Sequence, residues 1–258
     1  MTETIDREVL VERRDSVLVI TMNRPAAKNA VTEAVAIGVA AALDELDSND
    51  ELRVAVLTGA GGTFCAGMDL KGFLRGESPV VEGRGFAGLT LRPPRKPLIA
   101  AVEGWALAGG FEIVLACDLV VAADTAKFGV PEVKRALVAG AGAALLLPSR
   151  VPLPIALELL LTGDPIDATR AASLGLVNRV TAEGGALDGA LSLATTIAAN
   201  GPLAVAVTKE IARSSRDWTV AEGLKRQDDL MSPVFASEDA REGATAFAEK
   251  RSPVWKGR

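Results

Sequence analysis

Five short apolar runs limit what this chain can fold into more than any other feature: residues 17–22, 54–57, 98–102, 119–123 and 176–180. None alternates apolar with polar residues along its length, as a strand with one wet face would. They read as strands covered on both faces, with helical stretches between them. Residues 32–46 form such a stretch: Val35, Val39, Ala42, Leu43 and Leu46 share a face, while Asp44, Glu45 and Asp47 gather toward its end. Strands alternating with helices indicate an α/β architecture.

The pattern changes late in the chain. Residues 186–251 are helical throughout, with breaks expected at Gly201-Pro202, around Asp217 and near Ser232-Pro233. They punctuate three or four helices without a convincing strand. A boundary near residue 200 therefore separates a core, 1–200, from a helical lobe, 201–258. No Gly/Ser-rich or Pro-rich linker joins the two, so they are expected to pack together. The apolar stretches around 97–123 and 136–148 are interrupted by Glu103, Glu112 and Asp118, or are too short to span a bilayer. The opening MTETIDREVLVERRD is polar and acidic, unlike a signal peptide. Cys65 and Cys117 lie far apart and form no CxxC pair, which suits reduced core thiols. Together these features place the chain in the cytoplasm, with no membrane partner.

Two absences restrict the chemistry. The 258 residues include no His and no Tyr. Ser-His-Asp and Cys-His catalysis, His-ligated metals and Tyr acid chemistry are thereby excluded. Acid–base work at neutral pH falls to Asp, Glu, Lys, Cys or water, and no metal site is expected. The net charge of −5, with basic residues scattered, argues against a nucleic-acid partner.

Glycine-rich turns come next. Gly59-Ala-Gly61 follows a strand, but its third fingerprint position is Phe64; Gly140-Ala-Gly142 fails likewise, at Leu145. Neither fits a dinucleotide fold. Residues 63–71 and 104–110 share another form: strand, tight turn, helix start. Such turns can aim unpaired N–H groups outward, and a converging pair would make an oxyanion hole. The same glycines could instead serve tight strand-to-helix packing alone.

Two carboxylates stand out. Glu112 follows Gly109-Gly110-Phe111 on an otherwise apolar helix, where a charge is costly unless paired, hydrogen-bonded or functional. Glu132 follows a strand and the Pro131 turn. The plainer alternatives are that Glu112 pairs with a buried Arg or Lys, and that Glu132 caps a helix start.

These residues carry a family resemblance. The matching stretches are Thr21-Met-Asn-Arg-Pro25 with Asn29-Ala30, Val56-Leu-Thr-Gly-Ala-Gly61 with Phe64-Cys-Ala-Gly-Met-Asp-Leu70, and Pro97-Leu-Ile-Ala-Ala-Val-Glu-Gly104. Ala108-Gly-Gly-Phe-Glu-Ile113, Ala116-Cys-Asp118, Ala126-Lys-Phe-Gly129 and Pro131-Glu132 follow. Leu161-Thr-Gly163, Gly175-Leu-Val177 and Ala246-Phe-Ala-Glu-Lys-Arg251 complete the series. In that order, over nearly the whole chain, they resemble the crotonase superfamily of enoyl-CoA hydratases and isomerases.

The resemblance implies a spiral of ββα units with a helical C-terminal lobe that mediates oligomerisation, assembled as a homotrimer or a dimer of trimers. It implies an acyl-CoA thioester as substrate, with CoA part of that substrate and no further cofactor. The backbone N–H groups of Met68 and Gly109 would form the oxyanion hole. Coenzyme A contacts would fall at Lys28, Ala66, Asp69, Leu70 and Lys71, with Phe247 and Lys250 reaching a neighbouring subunit's site. Glu112 and Glu132 occupy both positions that carry glutamate in the hydratases, which favours hydration of a 2-enoyl-CoA to a 3-hydroxyacyl-CoA. The alternatives are double-bond isomerisation, thioester hydrolysis, or acyl-CoA binding with little turnover. Residues 73–93 correspond to an acyl-pocket segment and read as a mobile, partly helical loop. Departures from the family pattern are Ala108 where Gly is common, and residues 136–148, which lose a Pro and a polar end.

Overall fold

The computed structural model describes residues 7–258, so the first six residues of the polar opening segment lie outside it. In chain order the elements are β1 (Val9–Arg14), β2 (Val17–Met22), α1 (Glu33–Ser48), β3 (Val54–Gly59), α2 (Leu70–Leu74), β4 (Val80–Val81) and β5 (Gly85–Phe86). Then come β6 (Leu98–Val102), β7 (Trp105–Leu107), α3 (Gly109–Ala116), β8 (Leu119–Ala123), β9 (Lys127–Gly129), α4 (Ala143–Arg150) and α5 (Leu153–Thr162). The remainder are β10 (Ile166–Asp167), α6 (Ala168–Ser173), β11 (Arg179–Thr181), α7 (Ala186–Ala198), α8 (Pro202–Ser214), α9 (Val220–Phe235) and α10 (Glu238–Glu249).

Six strands form the main sheet in the order β1-β2-β3-β6-β8-β11. From β2 onward every pairing is parallel, in register Val17↔Val54, Ala55↔Leu98, Ile99↔Leu119 and Arg179↔Val121. A second, smaller sheet has the order β10-β9-β7. The chain climbs as a spiral: β6 in the main sheet turns at Gly104 into β7 in the small one and then into α3, and β8 turns into β9 in the same way. Each turn is a ββα unit, as expected.

Burial explains why the apolar runs do not alternate. Ala55 and Leu57 face the core cluster that also holds Val35, Val39 and Leu43 of α1. Val54 and Val56 face the other way, toward Ala186, Ala190, Ala194 and Ala198 of α7. Alanine at every fourth position leaves a smooth helical stripe that closes onto the sheet. The start of α1 is fixed by Thr32, whose Oγ1 accepts from the Val35 N–H at 3.1 Å.

The structure adds one strand and corrects three expectations. The charged lead-in before residue 17 is a strand, β1, paired antiparallel along the sheet edge. The last parallel strand begins at Arg179 rather than 176; Leu176 and Val177 are buried beyond α6, and Asn178 Oδ1 accepts from the Val120 N–H at 2.8 Å. Pro233 lies inside α9, and the break comes at Ser237, which caps α10 by accepting from the Ala240 N–H. Finally, residues 73–93 are anchored rather than loose: β4 and β5 form a hairpin, Ala87 and Leu89 are fully buried, and Arg84 pairs with Asp44 of α1.

Candidate active site

Two strand-to-helix turns meet beyond the C-terminal ends of β3 and β6. Cys65 binds the β7 backbone on both sides: its N–H donates to Trp105 O at 2.9 Å, and the Leu107 N–H donates to Cys65 O at 3.0 Å. Val31 clamps the next turn, donating to Gly67 O at 2.8 Å and accepting from the Asp69 N–H at 2.9 Å. Met68 sits between these two clamps. Gly67, at φ +101°, has no room for a side chain: a Cβ there would lie 2.9 Å from Ala108 Cβ and 3.2 Å from Gly109 N. Gly109 opens α3, and its N–H belongs to the first turn, which no intrahelical acceptor reaches. Among the described residues, neither the Met68 nor the Gly109 N–H has an acceptor. The two turns thus lie side by side, with the backbones of Gly67 and Gly109 too close to admit a side chain on Gly67.

Ala108 pays for this geometry. It adopts φ 52° and ψ −128°, a region that suits glycine, and it is held there by its N–H donating to Gly129 O at 2.9 Å.

Glu112, in the first turn of α3, is 3% exposed. Among the described residues, no Arg or Lys pairs with it. Its Oε1 instead accepts from the Ala141 N–H at 2.7 Å and the Ala143 N–H at 3.0 Å, at the entrance to α4. Burial raises its pKa, and the N–H groups of residues 143, 141 and 142 oppose that rise. Glu132 lies in a short 3-10 helix, Pro131–Arg135, directly after β9. Its Oε2 is buried and has no hydrogen-bond partner among the described residues. Burial also raises the Glu132 pKa, and the charge of Glu112 raises it further, while its own N–H and Arg135 oppose. The two carboxyls therefore share one electrostatic environment.

The donors to Glu112 were missed from sequence. Their signal was Gly140-Ala-Gly142, a short flexible stretch before a helix start, which turns with Gly142 at φ +123°. Also missed was Arg24. It donates to Ala30 O at 2.6 Å and pairs with Asp69 at 2.8 Å, tying the Met68 turn to the preceding segment.

Of the coenzyme A candidates, Lys28 and Ala66 are brought together, with the Ala66 N–H donating to Lys28 O at 3.0 Å. The Asp69 carboxylate caps α2 through the Lys71 and Gly72 N–H groups, both at 3.0 Å, and the Gly72 bond is the main reason its pKa is lowered. Its side chain is thus engaged in holding the turn. Leu70 and Lys71 stand exposed on the first turn of α2. Phe247 and Lys250 are also exposed, on and just after α10, and make no described contact with the residues around Met68.

A family model for enoyl-CoA hydratase/isomerase matches residues 12–258. The chain belongs to that family. It is accordingly a crotonase-type enzyme of acyl-CoA chemistry. The crystal structure of an enoyl-CoA hydratase from Mycobacterium marinum is similar at 59% identity and TM-score 0.96, covering 98% of this chain and 100% of that one. A curated enoyl-CoA hydratase of Mycobacterium tuberculosis is 44% identical over 97% of both chains. A carnitinyl-CoA dehydratase of Proteus mirabilis is 43% identical over 95% of this chain and 97% of its own length. The spiral fold is that of the enoyl-CoA hydratase/isomerase family.

Proposed function

We propose that this enzyme hydrates a 2-enoyl-CoA thioester to a 3-hydroxyacyl-CoA, with Glu112 and Glu132 as the acid–base pair. The observation that carries this reading is the contrast between a buried carboxyl, Glu112, and a half-buried one, Glu132. Burial raises the pKa of both; Glu112 accepts two backbone hydrogen bonds that oppose its rise, whereas Glu132 Oε2 has no donor among the described residues. Charge repulsion within the pair further favours one proton shared between the two.

In the forward direction, Glu112 takes a proton from water as the water oxygen bonds to the β-carbon. Electrons move to the thioester oxygen, giving an enolate held by the Met68 and Gly109 N–H groups. Each such donor contributes roughly 3–4 kcal/mol to the transition state. The enolate then collapses as Glu132 delivers its proton to the α-carbon. Atoms balance at one water gained, and the carboxyls exchange their protonation states, which proton transfer must reset. No further cofactor enters any step.

Lys28, Ala66 and the exposed start of α2 at Leu70–Lys71 would face the coenzyme A portion. The helical lobe would serve assembly into trimers or a dimer of trimers. Phe235 and Phe247 support this, being 71% and 87% exposed, whereas Trp255 closes onto its own chain by donating to Ala199 O. The thiols of Cys65 and Cys117 are free and buried, each pushed up to about 12 by burial, which suits a reducing cytoplasm.

The test is loss of conjugated enoyl-thioester absorbance across short, medium and bulky 2-enoyl-CoAs, with products weighed by mass spectrometry. Gain of one water supports hydration. Release of free CoA, or an unchanged mass with a shifted double bond, would replace it with hydrolysis or isomerisation.

A further inference from the structure

At the opposite end of the main sheet, where β6 and β8 begin, a cleft of about 760 Å³ opens between the core, α4, the end of α7 and α8. That volume lies within the range of small-molecule sites. It is separated from the Met68–Gly109 pair by the length of a strand, roughly 15 Å. Leu119, Leu146, Ile197 and Val205 supply its apolar lining. Interleaved with them, on α4, on α8 and just after it, are Arg150, Lys209, Arg213 and Arg216, against a single lining carboxylate, Asp118.

That carboxylate is already shared. Lys209 Nζ pairs with Asp118 at 2.6 Å and also donates to Pro94 O and Lys96 O, so its donors are all engaged. Arg213 Nη1 pairs with the other Asp118 oxygen at 2.6 Å and donates to Ala116 O. Arg150 Nη2 donates to Leu115 O at 2.7 Å, and Arg216 Nη1 donates to Ser149 Oγ at 2.7 Å. Each guanidinium carries five N–H donors, so most of theirs are left over. Asp118 thus serves Lys209 and Arg213 together, while Arg150 and Arg216 have no carboxylate partner among the described residues. Such an excess charge in a partly desolvated place favours a bound counter-anion.

We propose that this cleft is a second ligand site, which takes an amphipathic anion: an anionic head on the Arg150 and Arg216 guanidiniums and an aliphatic tail along the apolar lining of Leu146 and Val205. The site is independent of the reaction assigned to Glu112 and Glu132.

The test is calorimetric titration of the intact protein with decanoate and with decyl phosphate, with acetate and decyltrimethylammonium as the tail-less and charge-reversed controls. Saturable binding of one or both anionic amphiphiles near one per chain is expected, and neither control should bind. It should persist in Glu112→Gln and in the presence of a saturating CoA thioester. Arg216→Gln, at the rim, and Arg150→Gln, deeper in, should each weaken binding at least tenfold while circular dichroism and melting confirm the fold. Relative strength of the carboxylate and the phosphate then identifies the preferred head. Absence of binding by both anions, competition by the CoA thioester, equal binding of the cationic control, or indifference to Arg216→Gln would each overturn the proposal.

Discussion

Gly67 and Gly109 lie against each other, so closely that a Cβ on Gly67 would come within 3.2 Å of Gly109 N. This contact sets the spacing between the Met68 and Gly109 N–H groups, which come from turns about forty residues apart in sequence. Glycine is needed at 67 for both space and its φ of +101°.

Gly67→Ala should therefore push the two donors apart. The expected result is a fall in kcat of roughly 10²–10³-fold, the loss typical of one misplaced oxyanion donor, with KM little changed. Steady-state kinetics on the best enoyl-CoA, beside a urea melt, checks this.

Glu112 separates catalysis from structure through its choice of replacement. Glu112→Gln keeps an oxygen for the Ala141 and Ala143 N–H groups and should retain the fold, losing roughly 10²–10⁴-fold in kcat. Glu112→Ala strands both donors, at about 1–3 kcal/mol each if they remain buried. Its denaturation midpoint should fall well below that of the Gln variant.

Glu132 gives a pH-dependent prediction. Its folded-state pKa is raised, chiefly by burial, so the folded protein holds that proton more tightly than the unfolded chain. Stability from this group is fully present below the unfolded value and is lost as pH rises through the folded one. Glu132→Gln, which cannot ionise, should melt higher than wild type at pH 8. The gap should narrow as pH falls toward 5. Scanning calorimetry over this window decides it; a gap that widens at low pH would have the wrong sign.

Ala108→Gly should relieve the strain of φ 52°, ψ −128°. The expected gain is about 1 kcal/mol in unfolding free energy, at the low end for such positions because glycine also loosens the unfolded chain. Because the N–H bond to Gly129 O remains, turnover should be preserved.

Much of this was legible in the residues. Parallel strands buried on both faces leave unbroken apolar runs, and a glutamate inside an apolar helix advertises its own cost. What was hidden depended on pairing between distant segments. Gly140 and Gly142 mark a turn before α4, but nothing local says that its N–H groups point at Glu112, because that contact spans about thirty residues. Leu176 and Val177 look like strand but fill space beyond α6, since apolar residues suit either role. The β4–β5 hairpin reads as a loop because its glycines are visible, whereas the Arg84–Asp44 contact that anchors it spans forty residues.

The division of labour between the carboxyls is most directly tested on a saturated acyl-CoA, where hydration is impossible and only exchange of the α-hydrogen with deuterated water can occur. NMR would follow that exchange in wild type, Glu112→Gln and Glu132→Gln. The account predicts exchange in wild type, retained in Glu112→Gln and abolished in Glu132→Gln, although both variants lose hydration. Exchange that survives in Glu132→Gln, or disappears only in Glu112→Gln, would contradict it.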